Sequence, residues 1–278
     1  MKTHHFYYLS AALAICTSAL LIYVFVSEAI FFKDEFSKEE DKIIAKADPP
    51  KKLLHTVQPK DTTSFVKGID VSKYQKEIDW TNLPESIRFV FCRATEGRTL
   101  VDSEFHQNWT SITANGRIRG AYHFYRSNDD AVVQAQFFWK VVGSVYAEDL
   151  PLVLDIEAGS LVGTVDHDVL TTDLLTFLRE IEQLSGKKPM VYSNVAFANE
   201  YLKDKRFAAY PLWMAEYTQR TTPNVPNLWK DSGSGWQFWQ RSATYDLEAT
   251  NGDVDFDVFN GNEESLKAFA RSTSEENS

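Results

Sequence analysis

Two hydrophobic rhythms alternate along most of this chain. Short apolar runs cover 66–71, 89–93, 118–124, 152–156, 190–193, 212–215 and 236–240. Most lack the strict polar alternation of a half-solvated sheet, so they read as strands buried on both faces. Between them, apolar residues return every three or four positions over 103–115, 129–142, 166–185 and 193–202, the period of amphipathic helices. Buried strands separated by helices predict an α/β fold with a largely parallel sheet. Seven or eight strands in a segment of this length fit a closed barrel better than an open sheet. No internal repeat is present, and "ATEGRTL" lacks the lysine and hydroxyl spacing of a phosphate loop.

The N-terminus follows another pattern. From Phe6 to Ser27 no residue is charged. As a helix that run spans about 30 Å, enough to cross a bilayer. It is long for a cleaved leader, and no clean small-residue cleavage site follows it. A single N-terminal transmembrane signal anchor over 1–32 is expected, and a secreted protein if the segment is cleaved. A lipoprotein reading of "LAIC" fails on bulky Ile15 and on the apolar run continuing past Cys16. Lys2 before the run predicts a cytoplasmic N-terminus with the remainder exported. Residues 33–64 mix both charge signs with Pro49, Pro50 and Pro59 and read as a stalk. The globular domain is expected over 65–270, followed by a polar, disordered tail at 271–278.

Charge and cysteine content narrow the classes. A formal net charge of −10 leaves no basic surplus for phosphates, so no nucleic-acid partner is expected. The two cysteines, Cys16 and Cys92, lie in separate apolar runs and predict neither a disulfide nor a zinc site.

The chemistry concentrates where apolar runs stop. "PLVLDIEAG" places Asp155 and Glu157 two residues apart at a strand end, where both project to one face if the strand persists. At the C-terminal mouth of a parallel barrel, paired acids can be pushed to different proton affinities, as acid catalysis on a glycosidic bond requires. Two ordinary solvated acids would look the same in isolation. Asp70 ends "KGID", and "GDVDFDVFNG" aligns Asp253, Asp255 and Asp257 if extended. A calcium loop competes there, but Val258 holds the position that needs glycine. Aromatic and amide groups cluster at other strand ends: Tyr122, His123 and Tyr125; Tyr192; Trp213, Glu216 and Tyr217; Trp236, Gln237, Trp239 and Gln240. Such groups stack on sugar rings and bond hydroxyls, yet singly they are more often core.

Taken in order, the strings are specific. G-I-D-V-S-x-Y-Q…I-D-W, F-V-F-x-R-A-T-E-G, G-A-Y-H-F, P-L-V-L-D-I-E, Y-S-N, L-W-M-A-E-Y, W-Q-F-W-Q and V-D-F-D follow one another from Lys67 to Asn260. This series resembles glycoside hydrolase family 25, the Chalaropsis-type lysozymes, across nearly the whole globular part. The resemblance implies a modified TIM-like (β/α) barrel with some helices missing, and no metal or cofactor. It implies hydrolysis of the β-1,4 bond between N-acetylmuramic acid and N-acetylglucosamine in peptidoglycan glycan strands. Carried over by motif, Glu157 is the general acid, Asp155 sets its proton affinity or acts on substrate, and Asp70 and Asp255 complete an acidic floor. Tyr122, Tyr125, Trp213 and Trp239 are expected to line the groove. Tyr192 is expected near the acetamido group, and Arg93 near a carboxylate or muramyl lactyl group, unless Arg93 is a structural ion pair.

Two mechanisms remain open at this level: a carboxylate activating water, or attack by the substrate's own N-acetyl group. A non-catalytic peptidoglycan-binding barrel and a glycosidase for another amino-sugar polymer are the alternative functions, and a monomer is expected. Lys73-Tyr74 and Asp257 depart from the family's usual residues, the latter standing where asparagine is frequent. The additional acid predicts an acidic optimum.

Overall fold

The computed structural model describes residues 65–250 and 252–272. The expected anchor over 1–32 and stalk over 33–64 lie outside the described residues, as do 273–278 of the expected tail.

Nine strands form one sheet: β1 (Val66–Val71), β2 (Ile87–Glu96), β3 (Leu100–Val101), β4 (Ile118–Phe124), β5 (Val153–Asp155), β6 (Met190–Asn194), β7 (Leu212–Ala215), β8 (Phe238–Tyr245) and β9 (Val254–Phe259). β1, β2, β4, β5, β6, β7 and β8 run parallel, each paired with the next. β9 inserts antiparallel between β8 and β1 and closes an eight-stranded barrel. β3 folds back on the end of β2, outside the ring. The helices are α1 (Phe105–Ala114), α2 (Ala131–Val142), α3 (His167–Ser185), α4 (Val195–Tyr201), α5 (Asn227–Ser232) and α6 (Glu263–Ser272). Among the described residues, β1 and β2 are joined by a 3-10 turn without an α-helix, and no helix lies between β8 and β9. The barrel is thus only partly jacketed. The tail expected from Arg271 begins inside α6.

Strand alternation sorts the apolar residues into two cores. Ile69, Val90, Cys92, Leu154, Ile156, Val191, Met214 and Val258 point outward and pack with helix residues such as Phe138 of α2 and Phe177 and Leu178 of α3. Phe89, Phe91, Val153, Met190, Trp213, Phe238 and Phe259 point inward. The inner rings interlock. Phe91 stacks on Trp213 with centroids 4.3 Å apart, and Phe238 meets Phe89 and Phe91 edge-on at 5.0 and 5.1 Å. Room for them comes from two glycines. A Cβ at Gly68 would lie 2.3 Å from the Phe89 ring, and one at Gly120 would lie 2.3 Å from Phe91.

The opposite end of the barrel is sealed. Arg119 makes a two-pronged pair with Asp149 at 2.8 and 3.0 Å, its guanidinium lying 3.9 Å from the Trp109 ring centre. Lys187 donates to the carbonyls of Ala147, Asp149 and Ala270, tying α6 across the bottom. The packed floor and sealed base leave the C-terminal strand ends as the open face.

Candidate active site

At that face the strand ends surround a cleft of about 410 Å³. Asp70 from β1, Arg93 from β2, Tyr122 from β4, Asp155 and Glu157 from β5 and its end, Tyr192 from β6, Trp213 from β7 and Asp255 from β9 all line it. Eight of the ten residues singled out from the sequence are therefore brought together. β5 itself stops at Asp155, but Glu157 keeps an extended backbone (φ −148°, ψ −175°), so the two acids still face one side. The backbone N–H of Glu157 is held by Ser160 Oγ at 3.1 Å.

Tyr125 and Trp239 are not in the lining, and the expectation that they border the groove is corrected. Tyr125 lies three positions after Tyr122, so strand alternation sends it to the outer face, where its ring meets Phe177 edge-on at 5.7 Å. Trp239 sits between inward-facing Phe238 and Gln240 and therefore faces outward. It is fully buried, and its Nε1–H donates to the Glu216 carbonyl at 2.8 Å. The Glu216 carboxylate binds Asn224 and Arg220 and braces the loop after β7 instead of entering the cleft.

Gln240 and Tyr217, noted from the sequence as a strand-end amide and phenol but given no role there, belong to the site. Gln240 Oε1 accepts hydrogen bonds from Tyr192 and Tyr217, both 2.8 Å long, while its Nε2 donates to Asp70 at 2.6 Å. One amide thus couples two phenols to one acid. Its inward register beside Asp257 is the signal that identifies it, because Phe238 and Gln240 share a face. Ser72, Tyr74, Gln75, Glu96, Phe124 and Arg126 complete the rim. Glu96 forms an ion pair with Arg126, which also donates to the Gly159 carbonyl at 2.7 Å. Arg93 is anchored by buried Asp102 at 2.9 Å, the structural ion pair weighed from the sequence, yet it still borders the cleft.

The acids sit in low-dielectric surroundings with few compensating charges. Burial pushes the Asp155 carboxyl well above the usual range, with the nearby Glu157 and Asp70 charges adding to it. Burial and the Asp257 charge do the same to Asp70, and burial and Asp70 to Asp255. Glu157 is more open and is raised by burial alone. Tyr122 and Tyr192 are held neutral by burial. Asp155 lines the cleft, and its Oδ1 is buried without a hydrogen-bond partner within the protein. The cleft therefore offers a proton donor at its mouth, carboxyl groups deeper in, an aromatic floor and phenol walls. Asp255 lies within β9, so the segment is strand rather than a calcium loop.

The glycosyl hydrolases family 25 profile matches residues 69–249. Over 210 residues the chain is 39% identical to the uncharacterized protein YegX of Escherichia coli O157:H7, covering 73% of each. It is 33% identical over 228 residues to lysozyme M1 of Streptomyces globisporus, covering 78% of this chain and 75% of that one. The crystal structure of the bacterial lysozyme from Streptomyces coelicolor superposes with a TM-score of 0.70 at 33% identity, covering 77% of this chain and all (100%) of the other. With the family profile spanning the barrel from the first strand past the eighth, and with the acids gathered at its open end, the chain belongs to glycosyl hydrolase family 25.

Proposed function

We propose that this enzyme is an N-acetylmuramidase that hydrolyses the β-1,4 bond between N-acetylmuramic acid and N-acetylglucosamine in peptidoglycan. The carrying observation is the convergence of Asp70, Asp155, Glu157 and Asp255 on one aromatic-floored cleft in a family 25 barrel. The relatives named as lysozymes agree with it.

Glu157 is the general acid. Its burial keeps the carboxyl protonated further toward neutral pH than a surface glutamate, so it can protonate the leaving glycosidic oxygen. Positive charge developing at the sugar ring is met by the acids of the floor. The place of the Asp155 carboxyl beside Glu157 in the cleft favours the substrate-assisted route, because a carboxylate there can accept the acetamido N–H and orient the acetyl oxygen for attack. Tyr192 and Tyr122 border the same space. Trp213 offers an apolar edge for a sugar ring. Arg93 provides the cationic wall for a lactyl or stem-peptide carboxylate.

The enzyme should be incubated with purified peptidoglycan beside its Glu157→Gln variant, and new ends identified by mass spectrometry. The parent is expected to release muramic-acid reducing ends, and the variant to be slower by about 10²–10⁴-fold. Binding without cleavage by either would instead support a peptidoglycan-binding barrel, and ends of other chemistry a different amino-sugar substrate.

The proposal places the catalytic domain outside the cytoplasmic membrane as a monomer, tethered by the uncharged run at 6–27. Membrane fractionation with protease added to intact spheroplasts tests the tether. The full-length chain is expected in the membrane fraction with its C-terminal domain digested; recovery from the medium would identify a cleaved leader.

A further inference from the structure

Behind the cleft floor lies a carboxylate that does not line the cleft. Asp257 is fully buried on β9, opposite Gly68 of β1 and Gln240 of β8. Trp213 Nε1 donates to its Oδ1 at 2.8 Å. Its Oδ2 has no donor in reach. Strand register sets it diagonally beside Asp70 on the inner face: Asp257 pairs with Gly68 and Asp255 with Asp70, and Gln240, opposite Asp257, donates its Nε2 to Asp70 at 2.6 Å. Two carboxylate ions cannot hydrogen-bond to each other. A pair holding one proton can, and buried acids in contact titrate as such a unit.

Among the described residues no cation forms an ion pair with either carboxyl. Sharing the cleft with Asp70 are Asp255 on β9 and Asp155 and Glu157 from β5 and its end, while Asp257 meets neutral Trp213 on β7 and stands opposite neutral Gln240 on β8. The phenols of Tyr122, Tyr192 and Tyr217 complete the enclosure. The cleft's arginines are committed elsewhere, Arg93 to Asp102 and Arg126 to Glu96.

We propose that Asp257 and Asp70 share a single proton, making Asp257 a positioning residue that fixes the charge and seat of Asp70 in the cleft. The catalytic consequence rests on the muramidase reading. Loss of the shared proton puts two like charges in contact and drives Asp70 away from Gln240. Because Gln240 also holds Tyr192 and Tyr217, two walls of the cleft lose their registration. The proton is retained into the alkaline range, burial pushing the affinity of Asp257 up to about 8 and that of Asp70 well above the usual carboxyl range.

The test compares the full-length parent with Asp257→Asn and Asp257→Leu on purified peptidoglycan between about pH 5 and pH 10. Asparagine still accepts from Trp213 and can donate an N–H to Asp70, but it has no proton to lose. Its alkaline limb is expected to fall one power less steeply, so that on that limb the parent loses about tenfold more activity per pH unit than Asp257→Asn. Asp257→Leu strands both the indole N–H and Asp70, and is expected to be impaired across the whole range. Superimposable limbs for parent and Asp257→Asn would overturn the proposal. So would an Asp257→Asn variant that folds, by circular dichroism, yet is as impaired as Asp257→Leu at every pH.

An arm independent of activity is the infrared carboxylic-acid band. The parent is expected to carry a protonated carboxyl at neutral pH that titrates on the alkaline side and is lost in Asp257→Asn. A parent with no such titration overturns the shared proton even if Asp257→Asn fails to fold. A parent that shows the band but releases no muramic-acid ends overturns the muramidase reading alone.

Discussion

Single residues decide whether the cleft exists. Gly68 precedes Asp70 by two positions, and the absence of its side chain admits the Phe89 ring beneath the acids. In Gly68→Ala the added methyl meets that ring and the strand must shift. The expected cost is about 1–3 kcal/mol in urea unfolding, with a fall in kcat because Asp70 moves with the strand. The same scale shows what the sequence could and could not disclose. Asp70, Asp155, Glu157 and Asp255 were legible because acids at the ends of buried runs have few structural uses. Tyr125 and Trp239 were misplaced because an aromatic residue serves core and groove equally well. Strand parity carried the correction: Tyr122 and Tyr125 are three apart and cannot share a face. Gln240 was visible as a strand-end amide, but its ties to two tyrosines and an aspartate depend on strands far apart in sequence.

At the scale of elements, strand ends hold acids where burial opposes their ionisation. Asp155 ends β5 in an environment that raises its proton affinity. The folded state therefore binds this proton more tightly than the unfolded chain does. The resulting stability is full below the unfolded value of about 4 and is lost as pH rises toward the folded value. Asp155→Asn removes that penalty. It is expected to be about 1–3 kcal/mol more stable than the parent at neutral pH, less so at acid pH, and strongly impaired in catalysis. Thermal melts at pH 4 and pH 7 measure both parts; equal shifts at the two values would contradict the assigned proton affinity. Most elements were legible from period alone, including β1, β4 and β7 at their observed bounds. β9 was noticed only as a row of acids, and α6 was absorbed into the domain's end. A short charged amphipathic segment beside a polar tail has little pattern until its inner face is seen against the barrel base.

Over the whole molecule, closure of the ring is the governing fact. A closed barrel was inferred from the count of strands, but the antiparallel entry of the last strand was not. That entry depends on pairing β9 with β1 across nearly the full domain. Such long-range pairing is slow to form, because most of the chain must be ordered before it is rewarded. It also imposes an order in time. Synthesis runs from the N-terminus, so β9, with Asp255 and Asp257, is among the last pieces of the domain to leave the ribosome. Until it arrives, Asp70 lacks Asp255 and Asp257, β1 lacks one neighbour and the cleft lacks a wall. A nascent or truncated chain is therefore chemically incomplete. The enzyme acquires its potential to cut only once the last strand of its barrel has been translated.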